Sequence, residues 1–442
     1  MTSRNGRSAR PAQLIFGASA HNDHVQQMAR ALAEADALAE YVTGAVDVWR
    51  GPWARAMRRQ AGQWLPSVDR QLARRTIREV PADRVHPRWG WDLARTLAAM
   101  SGAGAALQDE LWERAEHSLD RYCARALGNP AVDGYLGVEF GALAALTEAR
   151  RRHKVGLVAF LSPHHLTRRR WLEPELAAWP QARTSTDRKL EALSVARDAR
   201  RDEEAAIADW IITGSSFTTR TLVEAGYSAT KILTIPLGGP APVPQSALPG
   251  RQRAVTKVVF AGSVALHKGA HHLIEAWQRL IPRDAELHFY GKVLLPHRMI
   301  ETVSGSAAGR SVTFHGLIPA SDLRAVYLDA SVLVLPTLAD GFGQVVTDAL
   351  AHGLPVITTT NAGAADRIKP GVSGFVVPPA DVTALTEALA WCLDHPADLF
   401  AMREAALIEA GRWTWADFRR TFTARMTAVL AGPAAAAERA TA

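Results

Sequence analysis

The stretch PTLADGFGQVVTDALAHGLPVI, residues 336–357, sets an acid, a Gly-Phe-Gly turn, a second acid and a Gly-x-Pro-Val strand entry in one short unit. It reads as loop, helix, turn, strand. Asp340 closes the loop, and Gly341 and Gly343 bracket Phe342. From Gln344 to His352 the pattern is helical, and Gly353 and Pro355 end it before the apolar Val356 and Ile357. Glycines let a backbone fold tightly and bring its N–H groups against a ligand. The helix start that follows carries partial positive charge, suited to phosphate or to a hydroxyl's lone pairs. Asp348 falls about a turn and a half into that helix. Two acids at different depths suit a long polar ligand such as a nucleotide-sugar. The same residues also make a plain tight turn with both acids solvated.

Short apolar runs surround this unit. LIFGAS (14–19), KVGLVAFL (154–161), DWIITGS (209–215) and KILTIPL (231–237) read as strands, with helical patterns at 24–40, 90–127 and 139–152. Later strands are expected at 257–263, 286–292, 311–316, 331–336, 355–360 and 374–379, separated by amphipathic helices. Alternation of this kind implies parallel sheets covered on both faces. The proline- and glycine-rich segment 236–254 reads as a linker. The expected architecture is therefore α/β with two doubly wound, Rossmann-like domains, 1–240 and 241–431, facing across a cleft. The last helix would pack back on the first domain. The low-complexity tail 432–442 reads as disordered. In such sheets ligands bind outside the carboxyl ends of the strands.

Composition narrows the function classes. At 442 residues the chain exceeds one ordinary core, and no apolar run approaches a transmembrane span. The run LIFGASA is too short for a signal peptide and meets His21, Asn22, Asp23 and His24 at once. It reads as a first strand. Cys123 and Cys392 are too few for a disulfide framework or a cysteine metal cluster, and point to a reducing cytoplasm. The net charge of +7 is concentrated early, since 33 of the 51 basic residues lie at or before residue 240. Arg55, Arg58, Arg59 and Arg168, Arg169, Arg170 are among its basic runs. A basic first domain could meet the inner membrane face peripherally or a phosphate-bearing acceptor, or could be solvated helix faces. No basic stripe interleaved with aromatics points to nucleic acid.

A second chemical stretch is FAGSVALHKGAHHLIEAWQRL, residues 260–280. A strand ends at Gly262, and Lys268-Gly269 opens a helix whose Leu273, Ile274 and Trp277 face inward. A lysine at a helix start beside glycines can reach phosphate oxygens; an exposed lysine near a turn is the plainer alternative.

In order and separation these two stretches resemble the retaining GT-B glycosyltransferases of the family-four, group 1 type. The resemblance extends through FHGLIPASDLRAVYLDASVLVLP (314–336) and IKPGVSGFVVPPADVTAL (368–385), and more loosely to 209–238 and 15–32. It implies transfer of a sugar from a nucleotide diphosphate donor to a glycan, lipid-linked or small-molecule hydroxyl acceptor, with retention of configuration. The nucleotide-sugar would be a substrate, with no cofactor and no metal. The family's Glu-x7-Glu appears here as Asp340 and Asp348, each one methylene shorter, so each carboxylate retreats by about 1.5 Å. By resemblance Asp340 approaches the donor sugar's hydroxyls and Asp348 holds the ribose. Ser263, after Gly262, stands where the family usually has arginine, which leaves Lys268 more of the leaving-group charge. The amides of Gly341, Phe342 and Gly343 would cradle the sugar or distal phosphate. His165, with His164 as the alternative, matches the family's histidine near the reacting carbon. Gly17, in the loop after the first strand, would allow close backbone approach, although Ala18 replaces the usual second glycine. His21 and His24 are read as cap and surface residues rather than a metal pair. Trp49, Trp53, Trp64, Trp89 and Trp91 either shape an acceptor pocket or pack helices. Two other outcomes fit the same pattern: an epimerase or hydrolase of nucleotide-sugars, and an inactive sugar-nucleotide-binding subunit.

Overall fold

Runs of Val, Ile, Leu and Phe form central strands whose both faces are covered. The computed structural model describes residues 11–46, 75, 77, 79–182, 185–250, 255–306 and 308–431, with helical residues 185–193, 304 and 308 through their backbone alone. The first sheet contains β1 (Leu14–Ala18), β2 (Leu38–Thr43), β3 (Val85–Pro87), β4 (Gly134–Val138), β5 (Val155–Phe160), β6 (Trp210–Thr213) and β7 (Ile232–Thr234). Its order is β3-β2-β1-β4-β5-β6-β7. The second contains β8 (Thr256–Ala261), β9 (Ala285–Tyr290), β10 (Val312–Gly316), β11 (Val332–Leu335), β12 (Val356–Thr359) and β13 (Gly374–Val377), in the order β10-β9-β8-β11-β12-β13. The second sheet is parallel throughout. Strand order reverses between β1 and β4 in one sheet and between β8 and β11 in the other. Those reversals open a crevice at the strands' carboxyl ends.

By contacts the chain divides into two units. One comprises the described residues within 1–159, 189–212 and 419–442; the other comprises 160–188 and 213–418. In the first unit, β1, β2 and β4 bury Phe16, Tyr41 and Tyr135 completely, with Phe16 stacked on Tyr41 at 5.3 Å. The end of the last helix, Trp415–Leu430, belongs to this unit. There Arg419 bonds Gln27 at 2.6 Å and Glu34 at 3.0 Å, and Phe422 and Met426 are buried. In the second unit Trp277, Phe260 and Phe289 fill the core beside β8 and β9.

Three readings of the sequence are corrected. The helix expected over 24–40 ends at Glu34, Asp36 takes a left-handed turn (φ 51°), and Leu38 begins β2. Leu38, Tyr41 and Val42 can continue a helical stripe on paper, but the turn re-aims them into the sheet. The helix expected over 90–127 is two, Trp89–Met100 and Ala105–Ala126, broken at Gly102 (φ 75°). The segment 236–254, read as a linker, is pinned over its described part. Gly238 and Gly239 are buried, Trp415 N–H donates to the Gly239 carbonyl at 2.8 Å, and Val243 N–H donates to Ala351 at 2.8 Å. Trp49, Trp53, Trp64, Arg55, Arg58, Arg59 and the tail 432–442 lie outside the described residues. Trp91 is 40% exposed, with the Arg114 guanidinium 5.1 Å above its ring. No described helix is long and apolar enough to cross a membrane.

Candidate active site at the end of the second sheet

The two loops that flank the β8–β11 reversal are stitched to each other. After β11, the Thr337 hydroxyl and the Leu338 N–H both donate to the His267 carbonyl, at 3.1 and 3.0 Å. Gly269 sits so near Pro336 that a Cβ there would lie 1.8 Å from its carbonyl oxygen. Its φ of 68° is likewise open mainly to glycine. The approach turns the 3-10 segment Leu266–Lys268 toward the acidic loop, and the Lys268 ammonium meets the Asp340 carboxylate directly. Both side chains remain partly exposed, at 23% and 15%. Beside them His267 is half-buried, and desolvation, then the Lys268 charge, push its pKa down to about 4.

The acidic loop is fixed from below and behind. Asp340 N–H donates to Asn361 at 2.9 Å, Gly363 N–H donates to the Asp340 carbonyl at 3.0 Å, and the Asn361 amide holds Leu338 at 2.8 Å. Gly341 lies against the loop after β5, where a Cβ would fall 2.0 Å from the Leu161 oxygen. Its carbonyl accepts from the Ser215 and Thr218 hydroxyls at 2.7 and 3.1 Å. Phe342 is buried, and its N–H donates to Asp340 Oδ1 at 3.3 Å. That amide therefore serves the loop's own carboxylate here, rather than standing open as the cradle reading had it. Gly343 (φ 84°) begins the helix Gln344–Ala351 with no side-chain cap, so no cap side chain satisfies its first-turn amides.

Asp348, half-buried on that helix, is close enough to Tyr327 to add to the rise that burial imposes on the phenol's pKa. Its backbone carbonyl meets His352 Nδ1 at 2.7 Å. Gly262 (φ 132°) ends β8 with its N–H bonded to Tyr290 at 2.9 Å and open space where a Cβ would be; Ser263 follows, half-buried.

The two candidate histidines have different surroundings. His164 is 4% exposed, its N–H donates to Thr221 at 3.0 Å, and its ring caps the helix His165–Ala178 by accepting from Leu166 N–H at 3.4 Å. His165 opens that helix half-exposed, with the two rings 4.1 Å apart. The helix packs against the Leu266–Lys268 turn. Further along it, Glu175 meets His271 and His272. Sequence reasoning missed Ser215, Thr218 and Glu175. Ser215 opening TGSSFTT after an apolar run was the one available sign, as a helix cap.

In the first unit Gly17 lies inside β1 rather than in the loop after it. A Cβ there would fall 2.9 Å from the Tyr135 hydroxyl and 3.0 Å from Cys123 Sγ. Internal packing thus requires a glycine here, in the strand and not in the expected loop. Asn22, not a histidine, caps the helix Asp23–Glu34 by accepting from Val25 at 3.3 Å. His21 and His24 are half-buried, and desolvation lowers both pKa values to about 4. At the β1–β4 reversal Glu116 accepts from Ser19, and burial lifts its carboxyl to about 7. Many of this unit's arginines are paired, Arg197 with Asp109 and Glu113 and Arg200 with Asp120 among them.

Two doubly wound parallel sheets make the GT-B fold. Residues 255–395 match the family described as Glycosyl transferases group 1. D-inositol 3-phosphate glycosyltransferase 1 of Catenulispora acidiphila is 28% identical over 171 residues, 36% of this chain and 41% of the relative. MMP alpha-(1->4)-mannosyltransferase of Mycolicibacterium hassiacum is 29% identical over 254 residues, 56% of this chain and 59% of the relative. The chain thus spans about half the length of the curated relatives it matches. Sucrose-phosphate synthase from Thermosynechococcus elongatus shares the fold, with a TM-score of 0.61 at 19% identity over 96% of this chain and 100% of that one.

Proposed function

We propose that the protein transfers a sugar from a nucleotide diphosphate donor to a hydroxyl acceptor, with retention at the anomeric carbon. The observation that carries this reading is the meeting of Lys268 with Asp340 beside the uncapped start of the Gln344–Ala351 helix. A cation and a helix start suit a diphosphate; an adjacent carboxylate suits sugar hydroxyls. When the donor enters, its diphosphate competes for Lys268 and releases the Asp340 carboxylate to accept from the sugar. The bond from the anomeric carbon to the diphosphate oxygen then breaks while the acceptor oxygen bonds to that carbon from the same face. The departing diphosphate takes the acceptor's proton. Lys268 and the helix amides stabilise the charge growing on it. Asp348 holds the ribose, Gly262 and Ser263 line the diphosphate's approach, and His165 stands on the sugar side. No metal enters this scheme, because Lys268 and the helix supply the positive charge.

The test begins with a thermal-shift panel of UDP-, GDP-, ADP- and TDP-sugars, since a ligand that binds only the folded state raises the melting point. The stabilising donor is then incubated with hydroxyl acceptors, headed by D-inositol 3-phosphate, and the product's anomeric configuration is read by NMR. An α-linked product from an α-donor supports the proposal. Donor breakdown at the same rate with and without acceptor would replace it with hydrolysis, and tight donor binding without any turnover would leave a binding subunit.

A further inference from the structure

Two consecutive histidines on a helix ordinarily point about 100° apart. His271 and His272, in the first turn of the helix Ala270–Leu280, do not diverge. Their rings lie 3.9 Å apart, and both aim Nε2 at one carboxylate. His271 Nε2 is 2.8 Å from Glu175 Oε2, and His272 Nε2 is 3.2 Å from Glu175 Oε1. The histidines are 6% and 8% exposed, and neither Nδ1 has a hydrogen-bond partner. Glu175 comes from the other side, on the helix His165–Ala178. One ligand atom from each of the three residues falls within 4.8 Å of the others.

We propose that Glu175, His271 and His272 bind a divalent transition ion of the zinc class. Two ligand atoms at about 2.0–2.1 Å on a tetrahedral ion stand about 3.3 Å from each other. Each histidine stands near that figure from its own carboxylate oxygen, at 2.8 and 3.2 Å, and one ligand atom from each of the three residues already lies within 4.8 Å of the others. Two imidazoles with one carboxylate form a borderline donor set that suits Zn²⁺ over Mg²⁺ or Ca²⁺, and a water completes the fourth position. The ion fastens the helix His165–Ala178 to the helix that begins just after Lys268-Gly269. It is a brace, separate from sugar transfer, and stands whether or not the proposed activity is correct.

The experiment uses the full chain, stripped with EDTA and desalted, titrated with ZnCl2 by calorimetry. Cobalt is added in parallel and its visible spectrum recorded. The expected result is one tight equivalent of Zn²⁺, a rise in melting temperature, and a visible Co²⁺ band of tetrahedral type. Glu175→Gln, which keeps the side chain's shape, and His271→Ala each weaken Zn²⁺ at least tenfold and abolish the band. His288→Ala with His315→Ala, at a solvent-facing histidine pair 2.8 Å apart, leaves the tight site unchanged. The proposal is overturned if the unaltered chain takes up no stoichiometric Zn²⁺. It is equally overturned if Glu175→Gln binds as the unaltered chain does; the cluster is then a hydrogen-bonded brace only.

Discussion

Among the described residues Lys268 pairs with the Asp340 carboxylate; in the proposed reaction the donor's diphosphate is the stronger partner that replaces it. Removing one preorganised donor to developing charge costs a factor of about 10²–10³ in turnover, roughly 3–4 kcal/mol. Lys268→Ala is expected to lose at least that much, and Asp340→Asn less, in steady-state kinetics with the stabilising donor. Near-normal turnover in Lys268→Ala would remove it from the leaving group. In the proposed reaction Asp348, farther along the helix, holds the ribose in both ground and transition states. Asp348→Asn therefore raises the donor KM more than it lowers kcat. The glycines admit a sharper test that needs no substrate. At Gly269 a methyl group meets the Pro336 oxygen at 1.8 Å with φ at 68°, so Gly269→Ala must displace the Lys268 turn from the acidic loop. It is expected to destabilise the fold by about 2–3 kcal/mol in urea melts, through strain and overpacking. These residues were legible because their types and spacing carry chemistry. Gly17 misled because a glycine at a strand end looks the same whether it makes room for a ligand or for Tyr135 and Cys123.

At the scale of elements, the strands of the second sheet could be read closely because each is a dense apolar run closed by a turn. β2 and β4 were missed for opposite reasons. The apolar positions of β2 continue the stripe of the helix before it, and the apolar run of β4 is interrupted by Gly134 and Gly137. Two supports of the acidic loop, the Ser215 and Thr218 hydroxyls, come from more than a hundred residues away, so no local pattern announced them. Ser215 illustrates the consequence: one hydroxyl both caps the helix Ser216–Glu224, accepting from Thr218 N–H at 3.0 Å, and donates to the Gly341 carbonyl at 2.7 Å. Ser215→Ala loses the cap, about 1 kcal/mol, and leaves Thr218 as the remaining hydroxyl on that carbonyl. A loosened Gly341 then weakens donor binding. The expected outcome is a lower urea midpoint together with a raised donor KM. A stability loss with unchanged KM would separate the cap from the loop.

Across the whole molecule, buried titratable groups set two opposed responses to pH. Burial holds His21, His24 and His267 neutral with pKa values near 4, whereas the unfolded chain protonates them below about 6.5. The unfolded state then binds more protons, so their contribution to stability is lost as pH falls from 6.5 toward 4. Burial acts on Glu116 and Glu204 in the other direction, raising both from 4.5 to about 7. The folded state keeps protons that the unfolded state has released, and stability falls as pH rises from 4.5 to 7. The two slopes work against each other between 4.5 and 6.5, and only the glutamates act just above it. Glu116→Gln removes one of these without changing the side chain's size, and its amide oxygen still accepts from Ser19. At pH 4.5 both forms are neutral at this position and the variant matches the unaltered chain. The difference then grows with pH, reaching about 3 kcal/mol in favour of the variant above pH 7, at 1.36 kcal/mol per unit of displacement. Urea melts of both chains at pH 4.5, 6 and 8 read this out directly. A gap that stays constant across the three would mean that the Glu116 carboxyl ionises as it does in the unfolded chain, and that burial at the β1–β4 reversal is relieved by water.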